Sequence, residues 1–100
     1  MKLNQLIANC QPSHIEGGVD REVNSVQIDS RRVQPGDMFV ALRGTQVDGH
    51  EFIDKAIAQG AETIVCESIP QDVHAGVTYL VYPNTELAVG TLATASVGNP

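Results

Sequence analysis

Aromatic residues are scarce in this chain: two Phe, two Tyr and no Trp, or 4% of 100 residues. The hydrophobic fraction is nevertheless 42%, so the expected core is aliphatic, built from Val, Ile, Leu and Ala. Positive charge is thin as well. Six Lys and Arg stand against twelve Asp and Glu, a formal net charge of -6. That balance argues against nucleic acid and against an anionic membrane surface as partners. An anionic small ligand has to be held by local backbone N–H groups and one or two Arg, because the overall field opposes it. No segment approaches the length of a membrane span, and the opening MKLNQLIANC lacks a signal-peptide apolar stretch. Cysteine is limited to Cys10 and Cys66, whose separation fits no metal motif. Cys66 lies within Thr63-Ile64-Val65-Cys66 and reads as a small core residue. The expectation is a protein of a reducing, cytoplasmic compartment.

Several catalytic devices are also missing. A phosphate-binding P-loop needs Gly-x-x-x-x-Gly-Lys-Ser/Thr. The chain has two lysines, Lys2 and Lys55, and neither follows a glycine run. Ser30 is followed by Arg31 and Arg32, with no glycine on either side, so there is no nucleophile elbow. His14, His50 and His74 are isolated. Asp48 and His50 stand at i, i+2, a weak metal pair, and Asp48 is better explained as a helix cap. No catalytic residue and no metal ligand is assigned.

What is present is an alternation of helical and strand patterns. Leu3, Leu6, Ile7 and Cys10 follow helical spacing and stop before Pro12. Gly17-Gly18 marks a turn. Residues 23–29 read as a strand with Val26 and Ile28 on one face. Val33-Gln34-Pro35-Gly36-Asp37 is a tight turn. Residues 38–42 are apolar on both faces, the pattern of a strand in the middle of an α/β sheet. After a loop over 43–49, Asp48 and Glu51 form a capping-box pattern for a helix. Phe52, Ile53, Ala56 and Ile57 form its inner face, Glu51 and Lys55 its i, i+4 pair, and Gly60 its stop. Residues 62–67 and 77–82 are further strands, the first completing a βαβ unit. Asn84 caps a last helix with Leu87, Ala88, Thr91, Leu92 and Ala95 facing inward, broken by Gly98-Asn99-Pro100. The fold class is α/β: a small mixed, mostly parallel sheet flanked by helices.

The run from Ile28 to Ile53 puts a polar loop at the end of a buried strand, just before a helix start. In α/β sheets anionic ligands settle there. Asp29-Ser30-Arg31 supports two readings. In one, Asp29 makes an Asx turn, Ser30 bonds backbone, and Arg31 pairs with a carboxylate such as Asp37. In the other, Ser30 bonds a ligand and Ile28 lends an apolar wall to a flat ring, with Thr45-Gln46-Val47 facing the same ligand. Two loops, a polar pocket and a positive helix end then suit a nucleoside diphosphate. His50 is a first-turn helix residue contacting the loop, and its role toward a ligand would be as a donor. Arg43 would serve likewise.

From Asp29-Ser30-Arg31 through VQPGDMFVALRGTQVDGHEFI to AIAQGAETIVCE, the chain resembles the N-terminal domain of the Mur ligases. Within them it resembles those that add the third peptide residue to the peptidoglycan precursor. The resemblance covers nearly the whole chain, including the first helix and the closing Gly-Asn-Pro. It implies a protein of three domains. The N-terminal one holds the UDP part of UDP-N-acetylmuramoyl-L-alanyl-D-glutamate, the central one binds ATP and Mg2+, and the C-terminal one helps to bind the incoming amino acid. It implies that residues 1–97 are the UDP-precursor-binding domain and residues 98–100 the start of a linker to a central ATPase domain. Uridine contacts are implied at Ile28 and Ser30, and further contacts at Thr45, Gln46 and Val47. Asp29, Arg31, Asp48 and His50 are supporting. These 100 residues then hold no catalytic group and no cofactor, and the domain acts by anchoring a remote nucleotide. Two other readings stay open. One is the same domain of the ligase that adds D-alanyl-D-alanine, which shares the DSR and PGD pattern. The other is a stand-alone interaction domain that kept the fold and lost the ligand. RGTQVDGH and the closing Gly-Asn-Pro favour the third-residue ligase.

Overall fold

Three consecutive strand segments bury nearly every side chain, and they form the centre of a five-stranded sheet. The structure is a computed structural model that describes residues 2–8, 10–43 and 48–96. Its strands are β1 (His14–Glu16), β2 (Val26–Gln27), β3 (Met38–Val40), β4 (Thr63–Cys66) and β5 (Thr78–Val81). They lie in the order β1-β5-β4-β3-β2. β2 to β5 are parallel, and β1 runs antiparallel to β5. Val26, Met38, Thr63 and Thr78 stand level across the sheet, so the four parallel strands start together. This is the mostly parallel mixed sheet expected.

Alternate residues of the central strands serve opposite cores, as a pleated strand requires. On one face α1 (Leu3–Ala8) and α3 (Thr85–Ser96) supply Leu3, Leu6, Ala88 and Leu92. These pack on Met38, Val40, Val65 and Leu80. On the other face α2 (Ile53–Ala58) brings Ile53 and Ala56 against Phe39, Ala41, Ile64, Cys66 and Tyr79. The cores are less purely aliphatic than composition implied. Tyr79 and Phe39 are the two largest fully buried side chains, and Tyr82 is buried too. The few aromatics go where a sheet needs bulk against its covering helices. Burial pushes the Cys66 thiol up to about 11, which leaves it an inert core group.

The differences from expectation have local causes. The strand expected over 23–29 shrinks to β2 because its flanks are engaged elsewhere. The Asn24 amide donates to the Pro35 carbonyl at 2.8 Å, and the Ser25 hydroxyl donates to Asp37 Oδ1 at 2.8 Å. Asp29 caps the Ser30–Arg32 3-10 turn. β1 carries no apolar alternation, since all three residues are exposed, and only its pairing with β5 defines it. The helix expected from Asp48 is a 3-10 turn (Gly49–Phe52) leading into α2. No Glu51–Lys55 ion pair forms among the described residues. In α3 the inner face runs through Thr85, Ala88 and Leu92, while Leu87 is 74% exposed and Thr91 also faces out. Asn84 caps that helix as expected, its Oδ1 accepting from Leu87 N at 3.2 Å. Gly98-Asn99-Pro100 lies outside the described residues.

Gly60 ends α2 at φ +116°, and a Cβ there would stand 2.6 Å from Pro35 Cα. Its carbonyl accepts from Gly36 N at 2.9 Å, joining the end of α2 to the turn before β3. Gly60→Ala combines an unfavourable φ with a backbone clash, and is expected to cost about 2 kcal/mol or more. Urea unfolding checks this: the midpoint should fall at an unchanged m-value.

Candidate functional site

Because β2 and β3 are parallel and level, the chain leaves both at the same edge of the sheet. After β2 it runs through Ile28 and Asp29 into the Ser30–Arg32 turn. After β3 it passes Ala41, Leu42 and Arg43 before re-entering at Asp48. A cavity of about 500 Å³ opens between these two exits and α2. Phe39, Leu42, Phe52 and Ile28 give it apolar walls. Asp29, Ser30, Arg31 and Lys55 give it polar edges, and Gly49 contributes backbone. A crevice outside the carboxyl ends of parallel strands is the general ligand position of open α/β sheets.

Asp29 organises one lip. Its Oδ1 accepts from Arg31 N at 2.9 Å and from Arg31 Nε at 3.1 Å. Its Oδ2 accepts from the terminal Arg31 nitrogen at 2.9 Å. The Asx turn therefore forms, but the carboxylate that Arg31 meets is Asp29 and not Asp37. Asp37 is buried inside its own turn, where it accepts from Gln34 N at 2.9 Å and from Ser25. The side-chain bonds to Arg31, and then the bond from its backbone N–H, hold the Asp29 carboxyl at about 2. Ser30 is buried, and its carbonyl accepts from the Gln59 side-chain amide at the end of α2. The Ser30 hydroxyl has no hydrogen-bond partner among the described residues.

The second lip is built around Gly49 and His50. Gly49 N donates to Leu42 O at 2.7 Å, and a Cβ on Gly49 would stand 2.7 Å from Leu42 N. Only glycine fits so close to the strand exit. Asp48 Oδ1 accepts from His50 N at 3.0 Å and from His50 Nδ1 at 2.7 Å. The backbone bond, then the ring bond, holds the Asp48 carboxyl below its usual range. His50 Nε2 accepts from Glu67 N at 2.9 Å. Only the tautomer with hydrogen on Nδ1 satisfies both contacts. His50 thus has no donor left for a ligand, which corrects the expected role. His50, not Glu51, is the side chain that answers the Asp48 cap. Asp48 caps the 3-10 turn near the pocket, while α2 itself starts after Phe52 with no side-chain cap.

Glu67 ties these pieces together. Its Oε1 lies 3.1 Å from Arg43 Nε, and its Oε2 accepts from Thr85 N at 3.0 Å. The Thr85 hydroxyl donates to Ala41 O at 2.8 Å. Arg43 also lies 4.0 Å from Asp48 Oδ2 and bridges to Asp48 through backbone. Arg43 is therefore engaged with protein carboxylates.

Of the residues singled out in the sequence, Ile28, Asp29, Ser30 and Arg31 line the cavity. Asp48 and His50 stand beside it through Gly49 and do not line it. Thr45, Gln46 and Val47 lie outside the described residues. Phe39, Leu42, Phe52 and Lys55 were missed as site residues. Phe52 and Lys55 are three apart where the 3-10 turn runs into α2, and both line the cavity.

Two outcomes follow from these contacts. Because its folded-state value is depressed, ionised Asp29 stabilises the turn at any pH above the unfolded carboxylate range, and that contribution is lost as pH falls through about 2. Carboxyl NMR should show an Asp29 midpoint near 2. A midpoint in the ordinary range near 4 would contradict the bidentate pair. His50→Leu leaves Glu67 N without its acceptor and removes the ring contact of Asp48, and should cost roughly 1–3 kcal/mol by thermal or urea unfolding.

Fold and cavity together define an α/β domain with a ligand-sized crevice at the carboxyl ends of its parallel strands. Residues 22–96 match the family model described as Mur ligase family, catalytic domain. The chain is 47% identical over 100 residues to the UDP-N-acetylmuramoyl-L-alanyl-D-glutamate--2,6-diaminopimelate ligase of Bacteroides thetaiotaomicron, covering 100% of this chain and 21% of that protein. It is 39% identical over 101 residues to the UDP-N-acetylmuramyl-tripeptide synthetase of a Roseiflexus species, covering 100% of this chain and 20% of that protein. Among solved structures it is similar to MurF from Acinetobacter baumannii, with a TM-score of 0.76 and 27% identity over 90% of this chain and 19% of that chain. MurF ligase from Thermotoga maritima in complex with ADP gives a TM-score of 0.63 and 30% identity over 77% of this chain and 17% of that chain. The chain belongs to the Mur ligase family. It spans about a fifth of the length of the curated relatives it matches.

Proposed function

We propose that this chain is the N-terminal, substrate-anchoring domain of a cytoplasmic ligase that adds the third amino acid, diaminopimelate or lysine, to UDP-N-acetylmuramoyl-L-alanyl-D-glutamate. Residues 1–97 form the anchoring domain and residues 98–100 begin the linker. The cavity takes the UDP moiety, and the observation that carries this reading is its composition. Ile28 and Phe52 give apolar walls for a flat base, and Ser30, whose hydroxyl has no hydrogen-bond partner among the described residues, lines the same space. Thr45, Gln46 and Val47 are proposed as further contacts, with Asp29 and Arg31 shaping the turn at Ser30. Asp48 and His50 hold the second lip.

ATP and Mg2+ are assigned to the central domain of the same full-length chain. The residues here do not fit them. The sequence has no P-loop, and among the described residues no three His, Cys, Asp or Glu gather into a metal site. Also among the described residues, no helix is long and apolar enough to cross a membrane. The domain's part in the reaction is positional. Holding the nucleotide fixes the far end of a long substrate, so binding remote from the reacting carboxylate supports the chemistry. The alternative, the D-alanyl-D-alanine-adding ligase, draws on the MurF structures at 27–30% identity. Relatives named for third-residue addition reach 44–47% over the whole chain, which favours the first reading.

An NMR titration with UDP-N-acetylmuramoyl-L-alanyl-D-glutamate, with UDP alone for comparison, tests the reading. Amides of Ser30, Gly49 and residues 45–47 should shift together for both ligands, with an affinity of about 0.1–1 mM. Sub-micromolar binding, or shifts confined to the opposite face at α1 and α3, would contradict it.

A further inference from the structure

The cavity is hard to reconcile with an anionic ligand until its charges are counted. Its ionisable lining residues are Asp29, Arg31 and Lys55. Asp29 and Arg31 neutralise each other through a bidentate pair. Four backbone donors at the two lips are engaged as well. Arg31 N and His50 N are bound by the capping carboxylates of Asp29 and Asp48. Gly49 N donates to Leu42 O, and Arg32 N donates to Asp29 O. The other cations are placed elsewhere. Arg43 pairs with Glu67, Arg21 donates to the Glu62 and Gly76 carbonyls, and Lys2 and Arg32 do not line the cavity. Lys55 forms no ion pair among the described residues and carries the one positive charge of the cavity lining that no carboxylate balances.

We infer that Lys55 is the residue that meets the diphosphate, and so sets the preference of this site for a nucleoside diphosphate over a bare nucleoside. This rests on the reading that the cavity takes the UDP moiety. Phe52 ends the 3-10 turn and Lys55 lies in the first turn of α2, and both line the cavity, so its wall passes from an aromatic residue to a lysine. That order matches the order of groups in the ligand, base first and phosphates after. Arg31 is excluded from the role because releasing it would strip Asp29 of its side-chain partner and leave an extra negative charge at the lip. In a chain of net charge -6 an unbalanced cation at the mouth also offsets the general repulsion of an approaching anion.

The test compares UDP and uridine binding to the chain and its Lys55→Gln and Lys55→Arg variants, by NMR or calorimetry at low and high salt. Lys55 is exposed, so the substitutions leave the cores intact, and the amide spectrum confirms it. In Lys55→Gln the affinity for UDP should fall roughly three- to tenfold more than that for uridine. Lys55→Arg should restore most of the difference, and added salt should narrow the gap between the two ligands in the unmodified chain. If the unmodified chain binds UDP and Lys55→Gln weakens UDP and uridine equally or not at all, the Lys55 role is overturned while the site stands. If neither ligand binds the unmodified chain, the assignment of the cavity itself fails, and the role of Lys55 with it.

Discussion

Level, parallel pairing of β2, β3 and β4 is the constraint on which the rest of this domain depends. It makes the chain emerge from two neighbouring strands at one edge, and so creates two lips with a gap between them. A slip of one residue would turn every side chain of β3 to the wrong face. Phe39 would leave the α2 side, where it forms part of the cavity wall, and Met38 and Val40 would leave the core under α1 and α3. Burial on both faces of β3 and β4 fixes that register, and the turn at 34–37 sets where β3 begins. Asp37 pins the turn from inside by accepting from Gln34 and Ser25.

The polar chemistry around the crevice is divided between groups that build it and groups left over. Asp29, Asp48, His50, Arg43, Glu67 and Thr85 are joined to one another or to backbone at 2.7–3.1 Å. They hold 3-10 turns, which propagate poorly unaided, in fixed positions. Among the described residues that line the space, Ser30 keeps a hydroxyl without a hydrogen-bond partner and Lys55 an ammonium without an ion pair, beside several hydrophobic walls. Such a site selects by shape and by a few well-placed polar atoms, with its scaffold already paid for by folding.

Much of this was legible in the sequence where a local pattern has one physical meaning. Doubly apolar runs at 38–42 and 62–67 became buried strands. Pro35-Gly36 became a turn, with Gly36 at φ +87°, and Asn84 became a cap. The first half of the site was readable because Asp29-Ser30-Arg31 is a contiguous motif at a strand exit. The rest is tertiary. β1 exists only because β5 passes beside it. Phe39 and Phe52 each have a sufficient explanation as core residues, and no local pattern says that both border an opening. Asp37 is unavailable to Arg31 because the turn encloses it, where it accepts from Ser25 and Gln34. In α3 the apolar Leu87 is exposed and Thr85 is buried, so hydrophobicity alone does not give the inner face. Thr85 is buried because its hydroxyl and backbone N–H both find acceptors.

The two ends of the sheet have a consequence of another kind. β1 has three residues and β2 has two, so each outer edge offers a very short row of backbone donors and acceptors. β1 also carries His14 and Glu16, 3.5 Å apart, on its exposed flank. The strongly apolar, buried strands β3, β4 and β5 are all interior. A second molecule seeking to extend the sheet by strand addition finds little ladder to grip, and charge where it would lie. The same arrangement that centres the ligand crevice therefore keeps the most aggregation-prone segments of the chain, 38–42 and 62–67, away from any open edge.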